Sequence, residues 1–169
     1  ARLLLRECLE KHWFGVGVGT ASFALVTIGR GIGCGLHLNG EVIEGAYGVA
    51  GEIGHLPLTS RDRICTCGRR GCVEAVASTD AIVAEIGRRH GAALSTESAF
   101  ELARSGDIAA REVVGEAARV VGTAIATMAN LTGPELILIG GEGVRDFDLF
   151  DEDLRAAFSE HAFGAAGNS

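Results

Sequence analysis

Positive charge is scarce in this chain and almost none of it is lysine. Of 15 basic residues only Lys11 is Lys, the arginines are scattered, and 22 acidic residues leave a net charge of −7. That balance removes the attraction to phosphate backbones on which non-specific nucleic-acid binding rests, so these residues are not expected to grip DNA by themselves. Long apolar runs are missing too. None approaches the roughly 18 residues that a membrane-spanning helix needs, and the start of the chain lacks the basic-then-apolar layout of a secretory signal. No membrane role is expected, and the cytoplasm is the expected location. The cysteines are Cys8, Cys34, Cys65, Cys67 and Cys72, an odd number that speaks against a disulfide framework. Internal repeats and low-complexity linkers are also absent. What the chain does have is apolar substance: 169 residues, 47% of them hydrophobic, with 25 glycines and 2 prolines. It is too apolar for disorder and long enough for one domain with a core of its own.

Hydrophobic spacing divides the chain into elements. Residues 1–13 set leucines and Cys8 against charges at helical spacing and read as an amphipathic helix that opens without a cap. Ser22 to Ile28 and Gly33 to Leu38 are β-rich runs joined by Gly29-Arg30-Gly31, and Asn39-Gly40 turns the second into Glu41 to Ile43. An antiparallel meander follows from that order. Residues 45–74 are rich in Gly and Cys and have little periodicity, so they read as a long irregular segment and a functional candidate. Ser78 or Thr79 can cap a helix that stops at Gly91, and a short helix is expected around Ser98 to Arg104. Asp107 caps a long apolar-striped helix ending near Gly133-Pro134. Leu136 to Ile139 reads as a buried strand with a sharp turn at Gly140-Gly141, and a last helix spans Asp151 to His161. A single α/β domain over residues 1–169 is the simplest organisation.

Three of the thiols crowd into Cys65-Thr66-Cys67-Gly68-Arg69-Arg70-Gly71-Cys72, where the glycines let a short loop fold back on itself. His55, ten residues upstream, completes a Cys3His set of the kind that closes around structural zinc. The alternative is three buried, reduced thiols. Cys34 within a strand and Cys8 on a helix face read as core residues. His12, His37, His90 and His161 have no partner motif and read as structural.

Gly51-Glu52-Ile53-Gly54-His55, then Cys65 to Cys72 followed by Val73-Glu74, then Ala77-Ser78, resemble the signature of the ROK family, which joins bacterial sugar kinases and sugar-responsive transcriptional repressors. The resemblance extends to Gly29-Arg30-Gly31-Ile32-Gly33, to Asn39-Gly40 and to Ile139-Gly140-Gly141, and so spans nearly the whole chain. It implies an actin-like, ribonuclease-H-like fold of two lobes with sugar and ATP meeting in the cleft. This chain would be most of the second lobe, with the 45–74 segment as its zinc- and sugar-binding loop. Glu52, His55 and Glu74 then stand where sugar hydroxyls are bound, and His55, Cys65, Cys67 and Cys72 where zinc is held. Carboxylates accept from hydroxyls, and an imidazole can give one nitrogen to a metal and the other to a ligand. Gly29, Gly31 and Gly33 resemble a phosphate-binding loop, and Gly140 and Gly141 the segment bordering an adenosine. Read alone, those glycines are ordinary turn residues.

The sequence also departs from a kinase of that family. Sugar phosphorylation needs a base for the attacked hydroxyl; in the family it is the Asp of an N-D-x-N motif, which would precede the opening helix, whereas the first Asp here is Asp62. The D-x-G-G-T phosphate loop is missing as well, and Arg30 stands where the hairpin of such kinases carries Thr. With no capped start and no closing strand and helix, the chain is expected to be a fragment of a longer protein and to supply no catalytic base itself. Two functions remain open. One is the sugar-sensing domain of a ROK-type repressor, reaching DNA only through a segment outside these residues. The other is an ATP-dependent sugar kinase, with ATP and Mg2+ as cofactors and its Asp elsewhere. Either would be expected to form a homo-oligomer, a dimer or tetramer.

Overall fold

Asn39 and Gly40 both take positive φ, 52° and 84°, the backbone of a two-residue hairpin whose twist matches the strands it joins. That turn sets the register of everything beside it. In the computed structural model, which describes residues 19–164, β1 (Phe23–Ile28) runs antiparallel to β2 (Ile32–Leu38), pairing from Phe23 with His37 to Ile28 with Ile32. β3 (Glu41–Val42) returns against β2, and β4 (Leu136–Gly140) lies parallel to β1, giving the order β3-β2-β1-β4. The antiparallel meander is as expected. The strand at 136–139 differs from expectation: it is half-buried along its whole length rather than buried, because it is the edge of the described sheet and one side lacks a neighbouring strand. The helix expected over 1–13, with Cys8 and His12, lies outside the described residues.

Helices follow their caps. α1 (Glu74–Ala77) is one turn, and α2 (Thr79–His90) begins where the Ser78 hydroxyl accepts from the Ala81 N–H at 3.2 Å. α3 (Thr96–Ser105) is capped by Ser95, and α4 (Ile108–Thr132) by Asp107, whose carboxylate accepts from the Ala110 N–H at 2.8 Å. Left-handed glycines at 91, 106 and 133 end these three helices. α5 (Asp151–His161) packs against α4. The stripe Val113, Val114, Ala117, Val121, Ile125 of α4 is buried against Val26, Ile82 and Ile86, forming the core. Cys34 is buried in that core. His37 is buried and stacks on Phe23 with ring centres 4.9 Å apart, while the His90 ring lies 3.1 Å from Asp107. No helix among the described residues is long and apolar enough to cross a membrane.

One charge is nearly enclosed. Glu85 on α2 is 8% exposed and gathers three guanidinium groups: Arg88 at 2.7 Å, Arg89 at 3.1 Å and Arg63 at 3.6 Å. The Arg88 contact first, and the other two arginines with it, hold its carboxyl down at about 2, against 4.5 ordinarily. Arg63 comes from the 45–74 segment, so this carboxylate also tethers that segment to α2.

Glu85→Gln is expected to cost about 2 kcal/mol of stability at neutral pH. A carboxyl depressed by folding stabilises fully above its unfolded value, and the benefit fades as pH falls from about 4.5 towards about 2. The gap in unfolding temperature between wild type and Glu85→Gln should therefore close on acidification through that window. A gap that stayed constant would place its origin elsewhere.

Candidate metal centre

Gly51 and Gly54 lie directly on β2. A Cβ at residue 51 would collide with the Cys34 carbonyl oxygen, and one at residue 54 with that of Ile32. Only a chain without side chains at those two positions can rest backbone on backbone here. The short 3₁₀ turn Ile53–His55 is thereby pressed onto the sheet, burying Ile53 and leaving His55 half-buried at its end. Glu52 stands one residue before that turn, half-buried, and its carbonyl accepts from the His55 N–H.

The cysteines arrive from the other side. The Cys65 N–H donates to the Arg69 carbonyl at 2.8 Å and the Gly68 N–H to the Cys65 carbonyl at 2.9 Å, so residues 65–69 close into a tight knuckle flanked by the Ile64–Arg70 bridge. Thr59 N–H donates to Gly71 O and Val73 N–H to Leu56 O. These two bonds strap the His55 side of the loop to the Cys72 side.

The result brings together all four residues that spacing selected. One ligand atom each from His55, Cys65, Cys67 and Cys72 lies within 4.8 Å of the others. Cys67 Sγ is 3.8 Å from Cys72 Sγ, and Cys65 Sγ is 3.7 Å from His55 Nδ1. A tetrahedral zinc ion with sulfur at about 2.3 Å would set its sulfurs about 3.8 Å apart and an imidazole nitrogen about 3.6 Å from a sulfur. The donor set fits such an ion in chemistry and in size. Burial pushes the Cys72 thiol up to about 12, with Cys67 and Cys65 adding to the rise, whereas the Arg69 backbone N–H holds Cys67 below the ordinary thiol value. A cation bound among these sulfurs would favour the thiolate at each of them.

Glu74 reaches from the knuckle to the glycine hairpin. Its Oε1 accepts from the Thr66 hydroxyl at 3.3 Å and lies 4.0 Å from Cys65 Sγ, and its Oε2 accepts from the Ile32 N–H at 3.1 Å. Gly29 and Gly31 form the bend between β1 and β2, and Gly33 pairs with Thr27 inside the ladder. Gly140 pairs with Thr27 from the other side, and Gly141 abuts Ile28. Both glycine groups therefore meet at one end of β1, the carboxyl end of the parallel pair, where ligands of α/β sheets gather. Two clefts open there. A cleft of about 670 Å³ is lined by Arg30, Cys65, Thr66, Glu74 and Glu85, and one of about 270 Å³ by Arg30, Thr79, Phe100, Glu142 and Arg145. Arg30 stands between them.

Sequence reasoning passed over Thr66 and Glu142. Thr66 carried a weak signal, being enclosed by two proposed ligands. Glu142 carried none, since its partner Arg30 is 112 positions away.

Comparison with known proteins places this geometry. The model of the ROK family matches residues 7–169. The chain is 34% identical over 170 residues to a glucokinase of Halalkalibacterium halodurans, covering 91% of this chain and 51% of that protein. It is 29% identical over 168 residues to a xylose repressor of Caldicellulosiruptor bescii, covering 92% and 42%. Among solved structures, 98% of the chain superposes on 44% of a ROK family transcriptional regulator, a homologue of the E. coli MLC protein, with a TM-score of 0.86 and 29% identity. The chain thus spans about half the length of the curated relatives it matches. The α/β lobe is of the actin-like ATPase kind that the sequence resemblance implied.

The donor set predicts one zinc ion per chain by mass-spectrometric metal analysis of the purified protein. Cys72→Ser should lose most of it and unfold several degrees lower, at about 2–4 °C for each kcal/mol lost in a domain of this size. A wild-type protein free of metal after purification without chelators would refute this.

Proposed function

The chain belongs to the ROK family, and on that premise we propose that it is the sugar-sensing part of a transcriptional regulator, holding a hexose or amino sugar beside a structural zinc ion. The observation that carries this choice is Arg30, a long exposed cation in the middle of the glycine hairpin, between the two clefts. A phosphoryl-transfer site keeps that position small so that a triphosphate can approach the backbone. The regulator at a TM-score of 0.86 and the xylose repressor support the same reading.

Zinc would fix the loop, held by His55, Cys65, Cys67 and Cys72. His55 turns Nδ1 towards Cys65, which leaves Nε2 for a sugar hydroxyl. Glu74, beside Cys65, and Glu52, next to the turn that carries His55, would accept from vicinal hydroxyls. A sensor needs unequal affinity of its ligand for two conformations. The loop supplies a natural element for that, because it touches both β2 and α2. DNA would be contacted by a segment outside these residues, in a homo-oligomer working in the cytoplasm.

The 34% identity to a glucokinase favours a second reading, an ATP- and Mg2+-dependent sugar kinase. The same carboxylates and His55 would then orient a hydroxyl for attack, Gly29, Gly31, Gly33, Gly140 and Gly141 would border the nucleotide, and the base would come from outside this chain.

Glu52→Ala and Glu74→Ala each remove a charged acceptor worth about 1.5–3 kcal/mol, so sugar affinity of the full-length protein should fall roughly 10- to 100-fold by calorimetry. Operator release should shift to correspondingly higher sugar concentration. Release unchanged in both variants would sink the receptor assignment, and sugar-dependent ADP formation by the full-length protein would favour the kinase.

A further inference from the structure

The bend between β1 and β2 offers two backbone N–H groups on either side of Gly31, at Arg30 and Ile32. Each is bonded by a carboxylate from a distant part of the chain. Arg30 N–H donates to Glu142 Oε1 at 2.9 Å, across 112 positions, and Ile32 N–H donates to Glu74 Oε2 at 3.1 Å, across 42. Backbone N–H groups left open at a glycine bend are anion-binding donors. Here each of the two is already satisfied by an anion belonging to the protein, Glu142 on the side of the smaller cleft and Glu74 on the side of the larger.

The position of Glu142 is built, not incidental. Gly141 and Gly143 on either side of it press against the Ile28 carbonyl oxygen, where a Cβ would stand only 2.6 Å and 2.8 Å away. This contact delivers the Glu142 side chain to the bend, and there it lies over Gly29: a Cβ on Gly29 would be 2.7 Å from Glu142 Cγ. The carboxylate also borders the smaller cleft, together with Thr79, Phe100 and Arg145. A negative charge on the wall of that cleft, hydrogen-bonded to the Arg30 N–H, repels a second anion at that spot.

We propose that Glu142 is the resident counter-anion of the β1–β2 bend and that it keeps the phosphate groups of a nucleotide out of it. The bend then acts as a clasp, joining the end of β4 through Glu142 and the metal loop through Glu74 to the same three residues. Glu142 thus determines which ligand class the cleft accepts: uncharged ligands can share it, polyphosphates cannot. This goes beyond the sensor assignment and does not rest on it, since sugar response is read by a different experiment.

Titration of the full-length protein with magnesium ATP by calorimetry tests the exclusion. Wild type is expected to bind at least tenfold more weakly than Glu142→Gly, in which the carboxylate is gone and the space over Gly29 is open. Equal affinities, or no binding by either protein, would overturn the proposal. Amide hydrogen exchange provides a second test, whose wild-type arm does not depend on how the variant folds. In wild type the Arg30 and Ile32 amides should both be protected; in Glu142→Gly, Arg30 alone should lose protection while Ile32 keeps its bond to Glu74. A wild-type Arg30 amide that exchanges at the rate of an open chain would also overturn it.

Discussion

Direct contact between two backbones, with no side chain between them, is the constraint on which the rest of this site depends. The segment carrying His55 has little apolar surface of its own: within residues 51–55 only Ile53 is a large hydrophobic residue, and it is buried. The segment is held instead because Gly51 and Gly54 let its main chain lie on the carbonyls of Cys34 and Ile32. Everything downstream inherits that placement. His55 points at Cys65 because its turn cannot move off β2, and the two main-chain bonds from Thr59 and Val73 then bring Cys72 to the same spot. A metal ion bound at such a place would do the work that a hydrophobic core does elsewhere, converting a loop into a fixed surface.

The parts of the structure that follow from neighbouring residues were the parts legible in the sequence. Asn39-Gly40, Ser78, Asp107, Gly91 and Gly133 each carry their instruction in their own backbone or side-chain chemistry, and the turn, caps and stops appear at those residues. The Cys3His grouping was legible for a similar reason: three sulfurs on a glycine-rich eight-residue stretch can hardly avoid one another. The half-burial of Leu136 to Ile139 was not, because four aliphatic residues in a row look alike whether covered on two faces or one. What covers them is decided by the strand order β3-β2-β1-β4, which local pattern does not encode. Glu142 was invisible for the same reason on a larger scale. A glutamate after two glycines is an unremarked surface charge until β4 is laid beside β1.

Charge in this acidic chain is arranged as a set of tethers. Glu85 collects arginines from α2 and from the 45–74 loop, Glu74 ties the knuckle to the bend, and Glu142 ties the bend to the end of β4. Three carboxylates thereby add polar links between four segments that also meet in the apolar core through Ile28, Ile32, Ile53, Ile82 and Ile139. Such links are individually modest in water, yet each is a hydrogen-bonded contact of defined geometry, and together they fix the walls of both clefts around Arg30.

The parallel pairing of β1 with β4 has a consequence in time. On one side β1 finds its partner within a few residues; on the other it must wait, since the bond between Ser22 and Glu135 joins residues 113 positions apart. A ribosome adding about 5–20 residues per second takes roughly 5–20 s to cover that distance. For that interval the nascent hairpin exposes the open edge of β1, an apolar strand with unpaired main-chain groups of the kind that recruits neighbouring chains. The helices made in between are the first cover available to one face of that hairpin, but among the described residues the strand that pairs with its edge is β4, which must first leave the exit tunnel. Synthesis of this lobe therefore carries its greatest hazard of misassociation in the middle of its length, and chaperone engagement would matter most there.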